Sequence, residues 1–108
     1  MTDCIFCKIV SGEIPSKRVY ENDYVIAIDD LHPKAKVHTL VIPKKHYCNL
    51  FDLDDDSLMA ELLKAVKEVA KIKKMKAFKL KVNNAKEEGQ EVFHLHMHVM
   101  SDSIEKEK

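Results

Sequence analysis

Three imidazoles recur at every second residue in the run His94-Leu95-His96-Met97-His98-Val99-Met100. Alternation of this kind is the period of a β-strand, so the three rings are expected on one face and Leu95, Met97 and Val99 on the core face. Next-but-one residues of a strand stand roughly 6.5 to 7 Å apart, which gathers three groups that titrate near neutral pH. Such a cluster suits three chemistries. It can ligate a metal and activate water. It can attack an electrophile through a neutral ring while its neighbours bind charge and move protons. It can also be three solvated histidines with no joint role. A second group of candidates is Cys4-x-x-Cys7, whose spacing suits either a redox pair or half of a tetrahedral zinc site. No thioredoxin-like strand precedes it, which disfavours the redox reading.

These residues must be held by a small body. The chain has 108 residues, which suits one compact domain spanning 1–108. Hydrophobic residues make up 45% of it, enough for a core, and 18 basic residues balance 18 acidic ones. Zero net charge argues against a general nucleic-acid binder, so any anion must be held locally. No apolar run approaches the roughly 20 residues of a membrane span. The opening Met1-Thr2-Asp3-Cys4 lacks the pattern of a signal peptide, so a soluble cytoplasmic protein with free thiols is expected, with no membrane partner.

Local patterns predict the positioning elements. Cys4 to Val10 reads as a short helix ended by Ser11-Gly12. Arg18 to Glu21 and Tyr24 to Ile28 read as strands around the turn Asn22-Asp23. Residues 29–36 form a loop, and His38 to Pro43 is a strand rich in β-branched residues. The acidic run Asp52 to Asp56 is a helix start, because carboxylates there cap free N–H groups and favour the helix dipole. The helix follows from Ser57 to about Lys73, with Leu58, Leu62, Val66 and Val69 on one stripe. Lys64, Lys67, Lys71, Lys73 and Lys74 form a solvated face. Phe78 to Asn83 and Val92 to Met100 are strands around a polar loop containing Gly89, and the tail from about Ser101 to Lys108 is frayed. The expected fold is α+β: an antiparallel five-stranded sheet with one long and one short helix.

The run from His94 to Met100 fits the signature His-x-His-x-His-x-x, with x apolar, and in this it resembles the histidine triad family of nucleotide hydrolases and transferases. The resemblance extends to Cys4-Ile5-Phe6-Cys7-Lys8-Ile9-Val10, to Gly12-Glu13-Ile14-Pro15, to the segment from His38 to His46, and to Gly89-Gln90-Glu91-Val92-Phe93-His94. These blocks stand in the family's order from about Cys4 to Met100. The nearest branch is the small purine-nucleoside phosphoramidase-like proteins.

The resemblance implies a set of roles. His96 is the nucleophile that attacks the α-phosphorus of an AMP- or GMP-type nucleotide, and water then releases the monophosphate. A backbone carbonyl, that of His94, holds the proton on the other ring nitrogen of His96. His98 binds a phosphate oxygen and helps protonate the leaving group, and His38 completes the phosphate site. No divalent metal is required for this chemistry. Asp30 accepts from the ribose hydroxyls. Ile5, Phe6, Ile9, Ile28 and Leu40 form the slot for the base, and Asn83 and Gln90 lie near the phosphate and leaving group. Relatives complete a structural zinc site with histidines at the positions of His46 and His94, beside Cys4 and Cys7. The family also implies a homodimer whose sheets join into one.

Two departures bear on specificity. Glu91 stands where the branch commonly has serine, and a carboxylate there repels anionic leaving groups but suits a cationic amine. The tail Ser101-Asp102-Ser103 lacks the branch's glycines and Trp. Two other functions share the pattern: a dinucleoside polyphosphate hydrolase working by the same mechanism, and a nucleotide-binding interaction module with little catalysis.

Overall fold

In the computed structural model, which describes residues 4–105, the hydrophobic patterning resolves into one sheet with a helix on each face. The elements in chain order are α1 (Ile5–Ser11), β1 (Arg18–Glu21), β2 (Val25–Asp29), β3 (Val37–Pro43), α2 (Asp56–Ile72), β4 (Met75–Lys81) and β5 (Met97–Ile104), with a 3-10 turn at Lys86–Glu88. The five strands run in the order β1-β2-β3-β5-β4, each antiparallel to its neighbours. This is the expected α+β fold.

Alternation along the central strands divides the core in two. Val25, Ala27, Val41, Met97 and Val99 face α2 and pack with Leu58, Leu62, Val66 and Val69 of its apolar stripe. Ile26, Ile28, Leu40 and Ile42 face the other way and pack against Phe6 and Ile9 of α1. Each fully buried aliphatic side chain of this kind contributes about 1.5–3 kcal/mol relative to exposure. The acidic run does cap α2: the Asp55 carboxylate accepts from Leu58 N at 3.0 Å. At the other face, Gly12 at φ 85° ends α1 in the left-handed region that a Cβ disfavours. The Arg18 guanidinium then donates to the carbonyls of Ile9 and Val10 at 2.8 and 3.2 Å, tying the end of α1 to β1.

Three boundaries differ from the sequence reading. The fourth strand begins at Met75 rather than Phe78 and ends at Lys81, because Lys74 at φ 55° turns the chain directly from α2 into the sheet. The last strand is regular only from Met97, so His94 and His96 precede it, although their alternation persists. The tail is not frayed from Ser101. β5 continues to Ile104, which pairs with Met75, and Glu105 N donates to Lys74 O at 2.8 Å. Ser101 is buried and its hydroxyl donates to Ala77 O, so polar residues here are held by backbone pairing that composition does not reveal. Residues 106–108 of that expected tail lie outside the described residues. Among the described residues, no helix is long and apolar enough to cross a membrane.

Candidate active site and metal centre

The sheet face carrying α1 opens into a cleft of about 530 Å³. Ile5, Phe6, Ile9, Ile28 and Leu40 supply its apolar lining. Asp30, His38, His96, His98, Asn83 and Glu91 supply its polar lining, and His32 stands at the loop beside Asp30. Gln90 does not join them. Its side chain is buried, its Oε1 accepts from Ala85 N at 2.8 Å, and its amide donates to Cys48 O and Val92 O at 2.6 and 3.0 Å. A buried amide engaged by three backbone groups braces the loop and has no atom left for a ligand. Gly89 permits that loop: its φ is 88°, and an added Cβ would meet the Asn83 amide at 3.4 Å.

Backbone groups set the proton position on four of the rings. His96 Nδ1–H donates to His94 O at 2.8 Å, which leaves Nε2 as a lone pair. Phe6 stacks edge-on against the His96 ring with centroids 5.1 Å apart, fixing its plane. Lys34 N–H donates to His38 Nδ1 at 3.1 Å. A neutral His38 therefore carries its proton on Nε2, from which it donates to His98 Nδ1 at 2.9 Å. His98 in turn presents Nε2–H. The Asp30 carboxylate stands 3.6 Å from His38 Nε2 and accepts from His32 N at 2.8 Å, an Asx turn that orients it.

Burial favours the neutral forms of His38 and His98. Burial pushes His98 down to about 4, assisted by repulsion from His96, His38 and Lys81 and opposed by Asp30. Burial likewise lowers His38, with Asp30 opposing and Lys81 and Lys34 adding to the shift. Lys34 and Lys81 are the functional candidates that the sequence reading passes over. Lys34 lines the cleft. Lys81 precedes Asn83 by two residues, and period-two alternation through β4 is the signal that places both on one side.

Behind the cleft, Cys4, Cys7, His46 and His94 bring one donor atom each to within 4.8 Å of one another and could hold a metal ion. His94 is buried and donates from Nε2 to Pro43 O at 2.8 Å, which turns Nδ1 toward Cys4 Sγ at 3.2 Å and Cys7 Sγ at 3.5 Å. His46 is anchored in the same way, donating from Nε2 to Phe93 O at 2.8 Å. Two imidazoles held by backbone carbonyls with free Nδ1 atoms, beside two sulfurs, have the chemistry of a four-coordinate site. Burial, together with the hydrogen bond and charge of Cys4, pushes the Cys7 thiol up to about 11, so two thiolates side by side need a cation to offset them. Cys48 is not part of the group.

The low His98 value has a consequence for stability. Unfolded, the ring takes its proton near the ordinary 6.5, whereas folded it does so only near about 4. Between those values the unfolded chain binds more protons, so the stability this group confers is complete above pH 6.5 and declines as pH falls toward about 4. Circular-dichroism melts should show Tm falling through that window, and His98→Gln should flatten the slope. An equal slope in the variant would assign the acid sensitivity to other groups.

Comparison with known proteins agrees with the geometry. The sequence model of the HIT domain matches residues 11–104. A HIT-like protein of Methanocaldococcus jannaschii is 45% identical over 100 residues, covering 90% of this chain and 77% of its own. The adenosine 5′-monophosphoramidase of Saccharomyces cerevisiae is 40% identical over 103 residues, covering 95% of this chain and 65% of its own. Among solved structures, a HIT family hydrolase from Clostridium thermocellum superimposes with a TM-score of 0.91 at 37% identity, covering 100% of this chain and 97% of its own. A triad on one sheet face, the fold that holds it and the matching sequence together place this chain in the HIT family of histidine triad proteins.

Proposed function

We propose that the protein cleaves purine nucleoside phosphoramidates, or related derivatives of a nucleotide α-phosphate, through a nucleotidyl-histidine intermediate. The observation that carries this reading is the hydrogen bond from His96 Nδ1 to His94 O, which leaves Nε2 unprotonated and facing the cleft. The base lies among Ile5, Phe6, Ile9, Ile28 and Leu40, and Asp30 accepts from the ribose hydroxyls. The His96 Nε2 lone pair attacks the α-phosphorus, and the bond from phosphorus to the leaving atom breaks with its electron pair on that atom.

Protonation of the leaving atom follows from the electrostatics. In the free protein His98 is neutral and a poor acid. A bound phosphate brings negative charge to the His38–His98 pair and favours its uptake of one proton from solvent, so that His98 Nε2–H becomes the acid that the departing nitrogen needs. In the second step water attacks phosphorus, its proton returns to His98, and the bond to His96 Nε2 breaks to release the monophosphate. Donors from His98 and Asn83 offset the charge that develops on phosphorus, and the chemistry requires no metal in the cleft. The yeast relative's described activity as an adenosine 5′-monophosphoramidase favours this branch over dinucleoside polyphosphate hydrolysis.

The cysteine and histidine cluster is read as a structural zinc site held by Cys4, Cys7, His46 and His94. Bound there, zinc would tie the start of α1 to the segment before β5 and fix the backbone that carries the His94 carbonyl. Free cysteines at all three positions suit the cytoplasm. A homodimer is the assembly that the surface supports. β4 is an edge strand with Phe78 and Leu80 exposed, and α2, which packs beside it, exposes Leu63 and Ile72. Pairing two β4 edges would continue the sheet and cover these side chains.

Three measurements test these readings. Rapid quenching with an adenosine phosphoramidate should trap an adenylyl adduct on His96 by mass, and His96→Ala should lower kcat/KM by about a thousandfold or more while retaining AMP binding. Turnover by His96→Ala near the parent rate would sink the mechanism. Elemental analysis of protein purified without chelator should find one zinc per chain, and Cys7→Ser should lose it with a fall in Tm; equal metal content in the two would remove the assignment. Light scattering should give twice the chain mass, and Leu80→Glu should shift it toward the monomer; a monomeric parent would exclude the dimer.

A further inference from the structure

The strand register places four residues in one transverse row across the α1 face of the sheet. Ile28 on β2 pairs with Leu40 on β3, Leu40 pairs with His98 on β5, and His98 pairs with Lys81 on β4. Directly paired residues of antiparallel strands project to the same side. Neighbouring strands lie about 4.8 Å apart, so the row spans roughly 14 Å from the apolar end of the cleft to the edge strand. Its order is two aliphatic side chains, an imidazole and an ammonium group.

We propose that Lys81 is a specificity-determining residue that binds an anionic oxygen group carried by the leaving group, one strand beyond His98. The inference rests on the nucleotidyl-transfer reading of the triad. A purine over Ile28 and Leu40 places its α-phosphate at His96 and His98, so whatever extends further along the row meets β4. Lys34 lines the same cleft, and the strand register sets Lys81 directly beside His98. Lys81 is exposed, and no ion pair engages it among the described residues. Its side chain projects to the α1 face, whereas Leu80, which pairs with Val99 and which β4 pairing would cover, projects to the α2 face. Antiparallel pairing sets Lys81 beside His98, and Glu91, on the loop that precedes His94, lines the cleft with the triad.

The anionic group could be a carboxylate, as on an amino acid joined to phosphorus through nitrogen, or a further phosphate, as in a dinucleoside polyphosphate. Three substrates separate these sources: the AMP phosphoramidate of glycinamide, that of glycine, and diadenosine triphosphate. The parent, Lys81→Met and Lys81→Arg are compared by kcat/KM. Lys81→Met should keep the glycinamide rate and lose about three- to fivefold on one or both anionic substrates. Which of the two falls identifies the source. Lys81→Arg should retain the preference, and added salt should shrink it in the parent. Unchanged ratios to glycinamide for both anionic substrates in Lys81→Met would overturn the role of Lys81 while leaving the triad mechanism standing. No turnover of any of the three by the parent would instead overturn the reading of the triad, and the proposal with it.

Discussion

The hydrogen bond from His96 Nδ1 to the carbonyl of His94 is the constraint on which the rest of this protein turns. A ring nitrogen attacks only when it is free of its proton, and an imidazole in solution divides its proton between two nitrogens. A carbonyl oxygen only accepts, so the bond selects one tautomer and one ring direction together. The same logic recurs around it. Pro43 O fixes His94, Phe93 O fixes His46, and the Lys34 amide fixes His38 by donating rather than accepting. Main-chain groups neither titrate nor bring net charge to these positions. Side-chain carboxylates in those positions would titrate and bring charge of their own.

His94 therefore serves two sites with different parts of itself. Its carbonyl faces His96, and its ring Nδ1 faces the two sulfurs. The segment that carries it is not yet regular strand, so no ladder of strand pairing holds that carbonyl in place. What holds it is the ring's bond to Pro43, the Leu95 amide's bond to Tyr47 O at 2.6 Å, and the sulfurs against Nδ1. This gives a physical reason for a cysteine pair at the start of α1: the short helix is clamped at one end by those thiols and at the other by Arg18. Its Phe6 then lies against both His94 and His96.

Much of this was legible in the residues. Alternation in the triad run correctly separated ring-bearing from core-facing positions, because a side chain's face depends on local backbone period and survives loss of regular pairing. The Asp55 cap and the stripe from Leu58 to Val69 were equally local and equally readable. What failed was governed by partners distant in sequence. Ser101 to Ile104 look like a polar tail, yet β3 pairs with Ser101 and β4 with Ser103 and Ile104. Gln90 resembles a ligand residue by position, yet its amide is taken by Cys48 and Val92, and the former lies 42 residues away. Lys81 reads as one more surface lysine until the register sets it opposite His98.

The charge of the chain acquires meaning only through that register. Eighteen basic and eighteen acidic residues cancel, which argues against a general polyanion partner but says nothing about local field. In the fold, Lys34 and Lys81 flank imidazoles that burial already holds neutral. Cations beside a neutral ring make that ring harder to protonate in the empty cleft. In the proposed reaction Lys34, which lines the cleft, attracts the phosphate whose arrival reverses the balance, because a bound anion lowers the cost of charging His98. A lysine that opposes the acid before binding thus helps to deliver the anion that creates it. An empty cleft lined with imidazolium would instead hold buried like charges against one another, and the folded state would lose stability throughout the neutral range.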